Sequence, residues 1–157
     1  MKAIQVSKAG GPEVLEFVDI PTPEPKPNEA LIKVQAAGVN FIDVYYREGR
    51  YPASMPFVCG QEGAGVVSSV GSDVKSLKVG DNVAYTGILG SYAEFAAVPA
   101  DRVVQIPDKL DFKQAAASML QGMTAHYLTH STFPIKSGQT VLIQAASGGV
   151  GLLLVQM

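Results

Sequence analysis

The 157-residue chain suffices for one ordinary domain, or for one domain and part of a second. With 47% apolar and 17% charged residues it has a globular composition, and a net charge of −2 without a basic block argues against a nucleic-acid partner. Its single cysteine, Cys59, excludes an intrachain disulfide and a cysteine-rich zinc knuckle, and no apolar run resembles a signal peptide or a bilayer span, so a soluble, cytoplasmic protein is expected.

The first hundred residues read as short strands between turn signals, the pattern of an antiparallel barrel or sandwich. Strands are predicted at Ala3–Val6 and Leu15–Asp19, joined across the breaker cluster Ala9-Gly10-Gly11-Pro12. The proline-rich stretch 21–27 cannot donate a regular ladder and reads as a stiff surface connection. Further strands are expected at Glu29–Ala37, Gly63–Val70, Asn82–Tyr85, Tyr92–Val98 and Val103–Gln105, with a tight turn over residues 79–82.

After Pro107 the period changes. Phe112, Ala115, Ala116, Met119 and Leu120 fall on one helical face, and Asp111 followed by Gln114 reads as a capping box. Thr124, Tyr127 and Leu128 extend the stripe beyond Gly122, a candidate break between two helices. Thr140–Ala145 is an almost continuous apolar run, as expected of a strand buried on both faces of a parallel sheet. Many strands, then helices, then a buried strand place a domain junction near residues 107–125.

The glycine turn that follows, Ala146-Ser147-Gly148-Gly149-Val150-Gly151, runs on into apolar Leu152–Val155. Its expected strand–turn–helix setting is that of a dinucleotide fingerprint, in which glycines let the backbone approach a pyrophosphate at a helix N-terminus. Ala146 replaces the first glycine of that pattern, and the ribose-binding residue would lie roughly 20 residues further on. A merely glycine-rich turn is the alternative.

Six blocks carry a family resemblance: Gly10–Leu15, Ala36–Asp43, Gly60–Val67, Val79–Asp81, Leu120–Ala125 and the glycine turn. In this order and spacing the chain resembles the quinone oxidoreductases of zeta-crystallin type, in the medium-chain dehydrogenase/reductase superfamily. The resemblance covers essentially all of the chain and roughly half of a family member. It implies mixed β and α/β architecture: a GroES-like β-barrel catalytic domain over residues 1–122, then the truncated start of a Rossmann doubly wound domain over 123–157, with NADPH in the cleft between the domains. It also implies a homodimer for the full-length parent.

Relatives that hold a catalytic zinc have cysteine where this chain has Asn40 and histidine where it has Gln61. Neither amide is a good zinc ligand, so the resemblance is to the zinc-free branch, and no metal site is expected. Without a Lewis acid to stabilise an alkoxide, the accessible chemistry is hydride delivery to an acceptor that spreads charge by conjugation, a quinone or an enone. Two alternatives stand beside it: an alkenal or enoyl reductase on the same scaffold, and a non-catalytic NADPH-binding, crystallin-like protein. Nucleic-acid binding is not expected, since no aromatic–basic interleaving supports it. The preference for NADPH comes from the family.

By resemblance, the catalytic candidates are Asn40, Tyr45 and Gln61. The cofactor-binding candidates are Asn40, Phe41, Ile42, Asp43, Val44, Tyr45, Thr124, Tyr127, Ser147, Gly148, Gly149, Val150, Gly151 and Leu152. Each has a plainer alternative: Asn40 as a residue that turns the chain, Tyr45 as a structural tyrosine, Thr124 and Tyr127 as helix packing. Glu62 is read as a buried carboxylate tied to backbone or arginine, and Cys59 as a small buried hydrophobe. His126 and His130 stand four apart on a helix but lack a third ligand. Because most of the family's cofactor site lies beyond Met157, the 157 residues alone are expected to be inactive.

Overall fold

The computed structural model describes residues 1–157, and its contacts divide it into two units, Met1–Ala117 and Ser118–Met157. In the first unit the chain order is β1 (Lys2–Val6), β2 (Leu15–Asp19), β3 (Glu29–Gly38), α1 (Phe41–Arg47), β4 (Phe57–Val58), β5 (Glu62–Val70), β6 (Asn82–Thr86), β7 (Phe95–Pro99) and β8 (Val103–Gln105). The strands form a three-stranded sheet, β2-β1-β4, and a five-stranded antiparallel sheet, β7-β3-β5-β6-β8. An Ala3–Ala93 bridge and an Ile4 N–H bond to the Tyr92 carbonyl lace the two sheets together.

The larger sheet buries runs of residues at Ala30–Ile32, Glu62–Gly65 and Val83–Tyr85, and alternates along the rest of β3. In β3, Ile32 is buried while Lys33 and Gln35 point to solvent, the period of two that turns one strand face inward. The core on that face gathers Ala30, Ile32, Val67, Val83, Tyr85, Ala96 and Val98, with Val74 and Leu77 folded over it. Each large apolar side chain buried there contributes about 1.5–3 kcal/mol. A second cluster, Val6, Val14, Phe57 and Cys59, packs beside the smaller sheet.

The strand expectations for this unit hold to within a few residues. The largest shift is at β7, expected from Tyr92 but starting at Phe95. Residues 90–92 bond instead to the turn at 59–60, with the Gly90 and Ser91 N–H groups on the Gly60 carbonyl and the Tyr92 N–H on the Cys59 carbonyl. Four short elements went unread: besides the two-residue β4 and a 3-10 turn at Ala100–Arg102, two lie near the site. Pro12–Val14 forms a 3-10 turn within the expected breaker cluster, and α1 follows Asn40 directly.

α2 (Phe112–His126) opens with the expected reciprocal cap: the Gln114 N–H donates to Asp111 Oδ1 at 2.7 Å, and Gln114 Oε1 accepts from the Asp111 N–H at 3.1 Å. The expected break at Gly122 does not occur. The helix runs through it and widens into a π-helical turn over Tyr127–Thr132. One mid-helix glycine costs only about 1 kcal/mol relative to alanine, less than would be needed to interrupt a capped helix.

The strand expected at Thr140–Ala145 is absent. Those residues form no ladder, Ala145 takes φ +52°, and Leu142 is 86% exposed. A strand is held by neighbours, and every paired strand of the chain belongs to the first unit. The helix expected after the glycine turn is present as α3 (Gly149–Gln156).

Candidate functional site

The candidate site in the first unit grows from the place where β3 ends and β5 begins. Gly38 lies opposite Glu62 in the register, so Asn40, two residues after the one, and Gln61, one residue before the other, are brought to the same end of the strand pair. An alanine Cβ at Gly38 would stand 2.0 Å from Glu62 Oε2, so the bare backbone there is what admits the carboxylate. Glu62 is 1% exposed, and its Oε2 accepts a hydrogen bond from Asn40 Nδ2 at 2.7 Å. The structural reading of Glu62 as a tied, buried carboxylate stands, with the Asn40 side-chain amide among its partners.

Asn40 also starts α1. Its extended backbone (φ −132°, ψ 152°) occupies the N-cap position, and its N–H donates to Asp43 Oδ2 at 2.9 Å. The same carboxylate oxygen accepts from the Tyr92 hydroxyl at 2.7 Å. Asp43 is buried, and its Oδ1 has no partner. Burial first, and then the Asp43 carboxylate, push the Tyr92 phenol well above the ordinary tyrosine range. Cys59 belongs to the same neighbourhood: burial raises its thiol pKa, and Asn40, Asp43, Val44, Arg47, Cys59 and Tyr92 line a cavity of about 130 Å³.

Gln61 is 7% exposed, with a buried Nε2 that has no hydrogen-bond partner. An unsatisfied buried amide is costly, and such groups concentrate where a ligand or water completes the bonding. Around Asn40, which is half-buried, Val39 and Phe41 are 81% and 80% exposed. The result is an amide set between two bare apolar side chains.

Ile42 and Val44 are half-buried on α1. Tyr45 meets Tyr51 edge-on at 5.8 Å between ring centroids, and the Arg50 guanidinium lies 5.4 Å from the Tyr45 ring. Arg47 ties the N-terminal loop to α1, with its Nε donating to the Gly10 carbonyl at 3.1 Å.

In the second unit, the Thr124 hydroxyl donates to the Leu120 carbonyl at 2.7 Å, one turn back in α2, and Tyr127 is exposed. Ser147, Gly148 and Gly149 are exposed, Val150 is half-buried and Leu152 is exposed. Gly151 is buried: a Cβ on it would stand 2.2 Å from the Ala145 carbonyl oxygen, so the turn closes only around glycine. Gly148 is the N-cap of α3 and has no side chain to occupy the first-turn N–H groups. His126 and His130 stack face to face at 4.1 Å between centroids.

Residues 26–108 match the family model of the alcohol dehydrogenase GroES-like domain. The chain belongs to that family. Its relatives include the quinone oxidoreductase of Pseudomonas aeruginosa, 50% identical over 99% of this chain and 48% of that protein, and a probable quinone oxidoreductase of Schizosaccharomyces pombe, 46% identical over 98% and 47%. Among solved structures, the quinone oxidoreductase of Pseudomonas syringae superposes with a TM-score of 0.95 at 50% identity, covering 99% of this chain and 48% of that one. The Escherichia coli quinone oxidoreductase complexed with NADPH gives 0.94 at 44%, covering 99% and 48%. The chain therefore spans about half the length of the relatives it matches, and the resemblance to quinone oxidoreductases read from its motifs holds.

Other members of the superfamily carry zinc in this domain, but the donors here do not fit one. The GroES-like domain holds amides at Asn40 and Gln61, its one thiol is buried with a raised pKa, and no three His, Cys, Asp or Glu side chains are grouped around a common point.

Proposed function

We propose that this chain is part of an NADPH-dependent oxidoreductase that transfers hydride to a quinone or another conjugated carbonyl without a zinc ion. The observation that carries the reading is the amide pair at the β3–β5 end: a half-buried Asn40 between exposed Val39 and Phe41, beside a buried Gln61 whose Nε2 lacks a partner. Exposed apolar side chains around an amide suit a planar ring with one polar edge, and both a nicotinamide and a quinone have that shape.

NADPH, when bound, would supply the hydride; the residues of this chain orient the reactants and exclude water. In the first unit, Val39, Phe41, Ile42 and Val44 would shield the ring, Asn40 and Gln61 would hydrogen-bond its polar edge, and Asp43 would hold Asn40 through its N–H. The Tyr45 phenol is the group offered as proton donor for the reduced acceptor oxygen. In the second unit, the bare turn from Ser147 through Gly151, with Leu152 behind it, fits a pyrophosphate approaching the α3 N-terminus, and residues 118–157 would be the opening of the nucleotide-binding domain. The Thr124 hydroxyl already donates within its helix, so it would act toward the cofactor as an acceptor. Tyr127 lies three residues further along and would add an exposed ring.

The test is NADPH oxidation by this chain joined to the second half of the Pseudomonas aeruginosa relative. Saturable, enzyme-dependent turnover with p-benzoquinone, faster than with methyl vinyl ketone, is the expected result. Turnover of the enone alone would assign the protein to the alkenal reductases, and NADPH binding without turnover of either acceptor would overturn the catalytic reading.

A further inference from the structure

Glu62 is buried at 1% exposure, yet it spends a carboxylate oxygen on one half-exposed side chain, Asn40, at 2.7 Å. Two features of the backbone maintain that pairing. Gly38, opposite Glu62 in the β3–β5 register, leaves the space in which the carboxylate lies. Asp43 Oδ2, itself held by the Tyr92 hydroxyl, fixes the Asn40 N–H and with it the backbone from which the amide projects.

An asparagine amide has two faces of nearly equal shape and opposite polarity. A carboxylate can only accept, so it takes the NH₂ edge, while the Asn40 side chain in turn accepts from the Asp43 N–H in the capping box of α1. Hydrogen bonds to a charged partner are about twice as strong as neutral ones, which makes the choice firm in a desolvated setting.

We propose that Glu62 is a positioning residue: through its bond to Nδ2 it holds the Asn40 amide in one orientation for contact with the nicotinamide or the acceptor. This rests on the reading that Asn40 touches those groups. Glu62 then acts on the reaction only through Asn40, and what it contributes is the acceptor oxygen. Glutamine keeps such an oxygen but adds a competing NH₂, so it holds the amide less firmly; methionine, of similar length, offers no acceptor.

The direct test is the side-chain amide of Asn40 in the ¹⁵N-labelled 157-residue chain. Rotation about the amide C–N bond is slow, so both Nδ2 protons resolve in any background; one of them shifted downfield and slow to exchange is expected in the wild type, less so in Glu62→Gln, with both features lost in Glu62→Met. Nδ2 protons at ordinary shifts that exchange rapidly in the wild type would overturn the proposal without any variant, so a Glu62→Met chain that fails to fold leaves the test intact. In the fusion with the Pseudomonas aeruginosa second half, folded Glu62→Met should lose about tenfold in kcat/KM, an effect of about 1.4 kcal/mol, with Glu62→Gln between it and wild type. Thermal destabilisation of Glu62→Met with unchanged kcat and KM would reduce Glu62 to a structural part and refute the positioning role. Asn40→Ala separates the two claims: an active fusion indifferent to it removes Asn40 from the site and the inference with it, while hydride transfer stands. A fusion that never turns over refutes the function instead, with the amide spectrum still reporting the Glu62–Asn40 bond.

Discussion

Replacing Gly38 by alanine tests whether the berth for Glu62 is real. The new Cβ would lie 2.0 Å from Glu62 Oε2 and 2.6 Å from its Cδ, whereas Gly38 is not among the residues with positive φ, so the backbone itself tolerates alanine. The penalty is therefore steric and local. Relieving it means pushing the carboxylate out of a fully buried position, at the roughly 1–3 kcal/mol typical of overpacking. The displaced carboxylate also gives up its bond to Asn40, a charged hydrogen bond of about 1.5–3 kcal/mol. Partial relaxation makes about 3 kcal/mol a fair sum, which for a unit of this size lowers Tm by roughly 10 °C. Urea unfolding followed by circular dichroism measures it. The decisive comparison is the same substitution in a Glu62→Ala background, where the cost should shrink to within about 0.5 kcal/mol because the atoms it would strike are gone. Equal cost in both backgrounds would refute the reasoning.

The Tyr85 hydroxyl is buried without a partner, so Tyr85→Phe should leave stability unchanged or raise it by up to about 1 kcal/mol in urea unfolding; a loss above that would reveal a hidden bond. Tyr92→Phe removes a bond to the Asp43 carboxylate and should cost about 2 kcal/mol by the same measurement. Burial raises the pKa of both phenols above their unfolded value of about 10, so the stability they lend is fully present below that pH and lost as pH climbs above it. Absorbance titration should show Tyr85 and Tyr92 ionising only as the chain unfolds, and phenolate formation from them in the native state near pH 10 would contradict this. The Cys59 thiol, its pKa raised by burial, should react with Ellman's reagent only slowly until urea is added; immediate stoichiometric reaction would place it at the surface.

Sequence reading went furthest where one local rule decides the outcome. The Asp111–Gln114 cap and the run of turn-bounded strands each depend on a few neighbours, and each is present in the fold. α1 escaped because seven residues are too few for a helical period, although Asn40 followed three residues later by Asp43 is a helix-start signal. Thr140–Ala145 has the composition of a buried strand, but composition cannot supply the neighbouring strands that a ladder requires. At the site, Asn40 and Gln61 were singled out by what they replace in zinc-holding relatives. Glu62 was assigned a buried, tied role, yet its bond to Asn40 depends on β3–β5 register, which a single sequence does not display. Tyr92 was missed as a site residue; its approach to Asp43 spans 49 positions of chain and leaves no local signal.

Metal dependence bears most directly on the account. The fusion of this chain with the second half of its Pseudomonas aeruginosa relative would be stripped with a strong chelator, its zinc content measured, and NADPH-dependent reduction of p-benzoquinone assayed before and after. Undiminished turnover with zinc far below one per chain is the expected result. Activity that disappears on stripping and returns with added zinc would contradict the assignment of Asn40 and Gln61 to a metal-free hydride-transfer site.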